Sequence, residues 1–383
     1  MPRQPILDPR YFRLDDLLRR PLASGDTLGS GGGDLSASTV SGWGFSGAAI
    51  FRGVEVPAPM TISVWVEGAP VFPAEGVYRP SHVTVNAQDA DTGLQVSEDK
   101  FVGADDCLVS VVSLRNPGEW SIEVETRTQW GIAKGEHGGE TGAPFYVSRF
   151  APPAPDRRIT LPAGGRVRLV FVLAFAADDR FARVPGDTAR SHAEGYARDN
   201  AAVVAHVQGF DAWATRHVTR FDSPDPWATR AWFHDVFLRR KFPTRVPVAV
   251  PDALQTRAGF VEEARSRFAG GDFDAPTDAP APFLPDVFVR QVLGLSVSGD
   301  ALSLSPAPDL SDWHYFAVEN YEHDGRRFTF VWDDPETPGD AFDDGDKGFT
   351  VYDGDAVIHR QSDLSAFTAP LAAPSPLGDD EDD

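Results

Sequence analysis

Two short stretches carry the side chains best suited to chemistry. In DPWATRAWFHDVFLRRKFP, Trp232, His234, Asp235 and Arg239 fall close together, and in WHY, Trp313 and His314 precede Tyr315. Flat rings beside carboxylate, imidazole and guanidinium groups suit a sugar. Its apolar face packs on a ring while charged groups satisfy its hydroxyls. Trp232, His234, Asp235, Arg239, Trp313 and His314 are therefore the candidate carbohydrate-binding set. Some have a plainer alternative. Asp235 and Arg239 are spaced i,i+4, which gives an ordinary helix-stabilising pair. Trp313 has the alternative of a core or domain-interface position. Trp332 shares a strand face with Phe330 and Phe328 at the period of two that a buried face requires, so it reads as core. His323, at a hairpin tip, reads as solvent-facing. Asp286 opens a helix, where it complements the dipole, and Glu262 and Glu263 read as surface charge.

Other catalytic chemistry finds little support. No G-x-S-x-G elbow occurs. The single cysteine, Cys107, excludes an intrachain disulfide. Its strand-like setting, DDCLVSVVSL, reads as a buried inert thiol rather than a nucleophile. No Cys/His cluster has structural-zinc spacing. AFDDGDKG (341–348) lacks the EF-hand pattern and reads as an exposed acidic turn. No metal and no cofactor are expected.

The elements that must position these residues are carried by 383 residues, enough for two or three domains. The net charge is -22, and the basic residues are mostly arginine. Few lysines on a carboxylate-rich surface fit a halophilic protein working where salt screens self-repulsion. No basic patch exists to neutralise phosphates, so nucleic acid is not an expected partner. The N-terminus lacks an apolar h-region, and the longest apolar run, Leu169 to Ala177, is about half a membrane span. A cytoplasmic protein without a membrane partner is expected.

Residues 1–35 read as a flexible lead with a GSGGGD hinge. Residues 36–180 read as a β-sandwich. Runs at Met60–Val66, Ser81–Val85, Cys107–Leu114, Trp120–Glu125 and Arg166–Leu173 alternate, with turn signals between them at EGAP, DADTG, NPGE and PAGG. Residues 181–295 read as a shortened helical region. It holds helical spacing from Asp187 to His217, then a helix capped by Ser223 or Asp225 with Pro226 in its first turn. A further helix follows over Asp252–Phe268, then a Pro/Gly/Asp linker at 270–282 and a last helix from near Pro285, with Gly294 as its cap. Residues 296–371 return to short strands whose Asp-Gly turns favour primed hairpins, and 372–383 reads as a disordered acidic tail. The fold class is mainly β with a short α region: an N-terminal β-supersandwich, a truncated helical segment and a small antiparallel C-terminal β-domain.

The order of these parts resembles the six-hairpin, or (α/α)6-toroid, glycosidases, including the glycogen-debranching, trehalase-like and mannosylglycerate-hydrolase-like groups. Val292-Leu293-Gly294-Leu295 resembles the end of the last toroid helix. Trp313-His314-Tyr315-Phe316, His323-Asp324-Gly325, Val331-Trp332-Asp333 and Val351-Tyr352-Asp353-Gly354 resemble the β-domain that follows it. SEDKFVGADDCLVSVVSLRNP (97–117) is similar to central strands of the preceding supersandwich. The resemblance implies hydrolysis of an α-glycosidic bond in oligo- or polysaccharides by two carboxyl groups. A toroid has about twelve helices, however, and only about four fit between Asp187 and Leu295. Most of the catalytic toroid is thus missing, no acid pair is assignable among the 57 acidic residues, and reduced or lost activity is expected. The alternatives are a non-catalytic carbohydrate-binding or accessory protein, and a structural subunit of a homo-oligomer.

Overall fold

The computed structural model describes residues 6–8, 12–23, 26–29, 34–38, 42–137, 144–152, 157–177, 185–199, 201–241, 251–268, 282–342 and 347–371. The fold is mainly β with a short α region, built from antiparallel sheets. Contacts divide the chain into two units, Arg19–Asp211 and Met1–Leu18 with Ala212–Asp383. The segment read as one helical region, 181–295, is shared between them. Residues before 36 contribute helix Leu14–Leu17 and strands Arg20–Pro21 and Thr27–Gly29. The linker at 270–282, except Pro282, and the tail at 372–383 lie outside the described residues.

The unit Arg19–Asp211 is organised by an eight-stranded antiparallel sheet. Its order is Arg20–Pro21, Glu75–Tyr78, Val83–Gln88, Gln95–Val102, Cys107–Arg115, Arg166–Ala177, Phe145–Phe150 and Gly135–His137. A five-stranded sheet around Met60–Val66 and Ile122–Trp130 accompanies it, with a four-stranded one formed by residues 27–57. Several boundaries differ from those read in the alternation. The strand expected over Ser81–Val85 runs Val83–Gln88, and the one expected over Trp120–Glu125 begins at Ile122. In the second case Asn116, fully buried, donates from Nδ2 to the carbonyls of Trp120, Leu161 and Pro162 and holds 116–121 as a turn.

One face of the large sheet is internal. Val85, Val96, Leu108, Val112 and Leu114 lie on it, together with Glu98, Lys100 and Ser110. Lys100 Nζ donates to the carbonyls of Gly42 and Gly44 at 2.7 and 2.8 Å, and Glu98 accepts from Gly44 N at 2.7 Å. This buried, hydrogen-bonded pair ties the sheet to the strand Gly44–Phe45 of its neighbour, a geometry in which paired charges are tolerated in a core. The opposite face is covered at one end by helices Pro185–Arg198 and Ala202–His217. There Phe101, Cys107, Val109, Val111, Val170 and Val172 pack on Ala189, Ala193 and Ala202. The expected single helical stretch is broken at Asp199, whose Oδ1 accepts from Ala201 N.

The second unit has a five-stranded sheet in the order Arg220–Asp222, Tyr315–His323, Arg326–Asp333, Gly348–Asp353 and Ala356–Gln361. The first strand lies within 181–295, the span read as a shortened helical region, between its expected helices. Arg220 pairs across from Glu319 in the ladder, and their side chains form a buried ion pair at 3.1 Å. Helix Pro226–Lys241 is capped by Asp225, whose Oδ1 accepts from Trp227 N and Ala228 N. The helix expected over Asp252–Phe268 is a 3₁₀ turn, Asp252–Gln255, and a helix, Arg257–Ser266, separated where Thr256 caps the second through Gly259 N. The last helix widens to a π-helix over Val287–Val292 and stops at Gly294, which has φ +67°. The Leu295 N–H returns to Val289 O, one residue further back than in an ordinary 6→1 glycine stop, following the wider π turn. At the His323–Arg326 hairpin, Asp324 and Gly325 both take positive φ, as a primed turn requires.

Candidate functional site

Of the six sequence-selected residues, Trp232, His234, Asp235 and Trp313 are buried and His314 is exposed. Trp232 is fully buried and stacks on Phe221 with ring centroids 4.5 Å apart, its Nε1 donating to Thr219 O. Trp313 is 4% exposed and stacks on Phe288, and its carbonyl accepts from Trp332 Nε1 at 2.8 Å. With Phe260 and Phe316 these rings make one aromatic core, so neither tryptophan presents a face to a ligand. Trp332 is core as read from its period. His234 and Asp235 are buried. Asp235 Oδ2 accepts from Leu284 N at 3.1 Å and lies 3.5 Å from Arg267 Nη2, while Arg267 also reaches Glu263 and the Pro282 carbonyl. Asp235 therefore anchors its helix to the start of the last one. The Arg239 side chain lies outside the described residues. His314 is exposed, with its ring edge-on to Tyr315 at 5.0 Å. His323, expected to face solvent, instead lies 3.2 Å from Arg290 Nη2, and Asp286 accepts from Tyr321 OH at 2.9 Å.

Titration behaviour singles out Asp222. Burial at the edge strand pushes its carboxyl up to about 6, against the opposing effect of Ser223 N donating to it. A raised carboxyl fits a general acid, but hydrolysis needs a second carboxylate roughly 5–9.5 Å away across a cleft. Asp222 lies beside Tyr315, whose phenol is raised by its own burial and by the Asp222 charge. The Cys107 thiol is raised by burial and by Asp105, which fits its reading as no nucleophile.

A concave feature lies on the large sheet, at the end of the outer face that the helices leave bare. A cavity of about 860 Å³ opens there, within the range of small-molecule sites. Its floor follows from strand register. Glu75 pairs with Asn86, Asn86 with Ser97, Ser97 with Ser113 and Ser113 with Arg168. One pleat further along, Gln88 pairs with Gln95, Gln95 with Arg115 and Arg115 with Arg166. Residues two apart on a strand share a face, so both rows project into the cavity. The intervening Ala87, Val96 and Leu114 point into the core. At about 4.8 Å per strand the first row is roughly 19 Å long. Arg115 Nη1 lies 3.4 Å from Gln95 Oε1, and the cavity is lined by one carboxylate, Glu75, against three arginines.

The alternation that identified these strands also held this signal. The outward positions of Gln95–Val102, Cys107–Arg115 and Arg166–Ala177 turn from apolar to polar at one end, and those of Val83–Gln88 are polar throughout. Only the register shows that the polar ends coincide.

No protein-family model matches the sequence, and no curated protein does. Among solved structures, the chain is similar to one described as a kojibiose phosphorylase from the human microbiome, at 9% identity and a TM-score of 0.45. That match covers 60% of this chain and 42% of the other. It is also similar to a sialidase, at 15% identity and a TM-score of 0.24, over 39% of this chain and 15% of that one.

Proposed function

We propose that this protein binds carbohydrate without hydrolysing it, through the polar floor of the large sheet, and that its ligand is an acidic glycan bearing uronate groups. The observation that carries the reading is the pair of polar rows meeting across five strands. Asn86, Gln88 and Gln95 each offer a donor and an acceptor, and Ser97 and Ser113 offer hydroxyls, which together match a chain of sugar hydroxyls. Arg115, Arg166 and Arg168 give a local positive charge in a chain of net charge -22, and a guanidinium fork suits a carboxylate bidentately. The loop that leaves Arg115 presents Trp120, 80% exposed, as a surface on which a ring can pack. A single lining carboxylate does not supply the acid pair of a glycosidase. Descent from the six-hairpin glycosidases, with the toroid lost, is part of this reading and rests on the sequence motifs.

The test is calorimetric titration of the full chain with an oligouronate and with a neutral glucan oligomer of the same length. The oligouronate is expected to bind, the neutral oligomer to bind at least about tenfold more weakly, and Arg168→Ala to lose about tenfold or more for the acidic ligand, one charge-assisted contact being worth some 1.5–3 kcal/mol. Equal binding of both oligomers, no binding of either, an unchanged Arg168→Ala, or release of reducing ends from either oligomer overturns the reading.

A further inference from the structure

The covered end of the same sheet face holds a second cluster that the glycan floor does not use. Strands Gln95–Val102 and Cys107–Arg115 are joined by a tight loop, Gly103–Asp106, closed by Gly103 N donating to Cys107 O and Asp106 N donating to Gly103 O. Asp106 takes φ +58° there and accepts from Asp34 N and Leu35 N, which fixes the loop against a neighbouring strand. Asp105 leaves this loop and Cys107 begins the next strand. Helix Pro185–Arg198 lies over the sheet and brings His192 to both. One ligand atom from each of Asp105, Cys107 and His192 lies within 4.8 Å of the other two.

We propose that these three residues bind a divalent transition-metal ion, with zinc the best match. His192 Nδ1 is buried yet makes no hydrogen bond. It faces Asp105 Oδ2 at 3.6 Å, too long for a hydrogen bond. A tetrahedral ion with bonds of about 2.0–2.2 Å to nitrogen and oxygen holds those two atoms about 3.3–3.6 Å apart. The carboxylate is already oriented for this. Tyr196, one turn beyond His192 on the same helix, donates to Asp105 Oδ1 at 2.9 Å and leaves Oδ2 to the ion. This is the outer hydrogen bond that a ligating carboxylate normally carries. Gly103 makes room for it, since a Cβ there would overlap both the tyrosine hydroxyl and Asp105 Oδ1. A thiolate, an imidazole and a carboxylate form a set that selects zinc or cobalt over magnesium or calcium, which take oxygen ligands. Three protein ligands leave a fourth position for water or an added ligand. The His192 side chain is 35% exposed, which gives the ion a route from solvent.

The test loads the full chain, stripped with chelator, with Co²⁺ and with Zn²⁺ in the presence of excess Mg²⁺. One equivalent of Co²⁺ is expected to bind with a thiolate-to-metal charge-transfer band and a tetrahedral d–d spectrum, and Zn²⁺ is expected to displace it. Cys107→Ser should abolish the charge-transfer band, and His192→Ala should weaken Zn²⁺ at least about tenfold. Tyr196→Phe keeps the ring packing, and losing an outer hydrogen bond of this kind weakens metal binding by about 10–100-fold. Because Cys107 is fully buried, His192→Ala and Tyr196→Phe decide the matter if the serine variant does not fold. A wild-type chain that takes up no stoichiometric ion, a cobalt spectrum without the thiolate band, or wild-type affinity in both His192→Ala and Tyr196→Phe overturns the proposal.

Discussion

Asp222→Asn isolates what a partly buried charge does to this fold. Asp222 sits on the edge strand Arg220–Asp222 with its Oδ1 accepting from Ser223 N at 2.9 Å. Burial raises its carboxyl from 3.8 to about 6. The native chain therefore holds this proton more tightly than the unfolded chain, and stability falls as pH rises through the window from about 4 to about 6. The full effect of ionisation is present above that window and none of it below. A shift of some two units corresponds to about 3 kcal/mol at 1.36 kcal/mol per unit, and solvent reaching the partly exposed carboxyl lowers this to about 1–2 kcal/mol. Asparagine keeps an oxygen to accept from Ser223 N and carries no charge. Urea melts of the wild-type chain and the variant, followed on the second unit's transition, give the comparison. At about pH 8 the variant should be more stable by about 1–2 kcal/mol, and at about pH 4 the two should converge. A variant less stable at both pH values, or a difference that does not change with pH, refutes the reasoning.

Two substitutions test the anchors around the sequence-selected residues. Arg267→Ala leaves the buried Asp235 carboxylate without its guanidinium. It should cost about 3–5 kcal/mol in a denaturant melt, while the paired change Arg267→Met with Asp235→Leu recovers most of that loss. Gly294→Ala forces a side chain into φ +67° and onto the Ser305 carbonyl oxygen. It should destabilise by at least about 1–3 kcal/mol, read as a lower midpoint with an unchanged slope.

The strand runs, the caps at Asp225 and Gly294 and the Asp-Gly hairpin at 324–325 were all legible, because alternation, side-chain capping and positive φ are local demands. Trp332 in the core was legible for the same reason, through its period of two with Phe330 and Phe328. Arg220–Asp222 was not. Three residues between helices carry no period, and their strand state comes from pairing with Glu319 almost a hundred residues later. The burial of Trp232 and Trp313 falls under the same limit. A tryptophan has the same chemistry on a surface and in a core, and only the rings of Phe221, Phe260 and Phe288 packed around them make the difference. Asp235 looked like half of an i,i+4 pair, and its described charged partner comes from another helix.

The amino-acid sequence by itself determined a mainly β chain with a short helical part, its charge and its turns. Those properties depend on composition and on neighbours a few residues apart. The tertiary structure decided where chemistry is placed. Antiparallel register aligned Glu75, Asn86, Ser97, Ser113 and Arg168 from five separate strands. A helix laid over the sheet brought His192 to Asp105 and Cys107. Neither set has a spacing to read, because distance along the chain does not specify distance across a sheet.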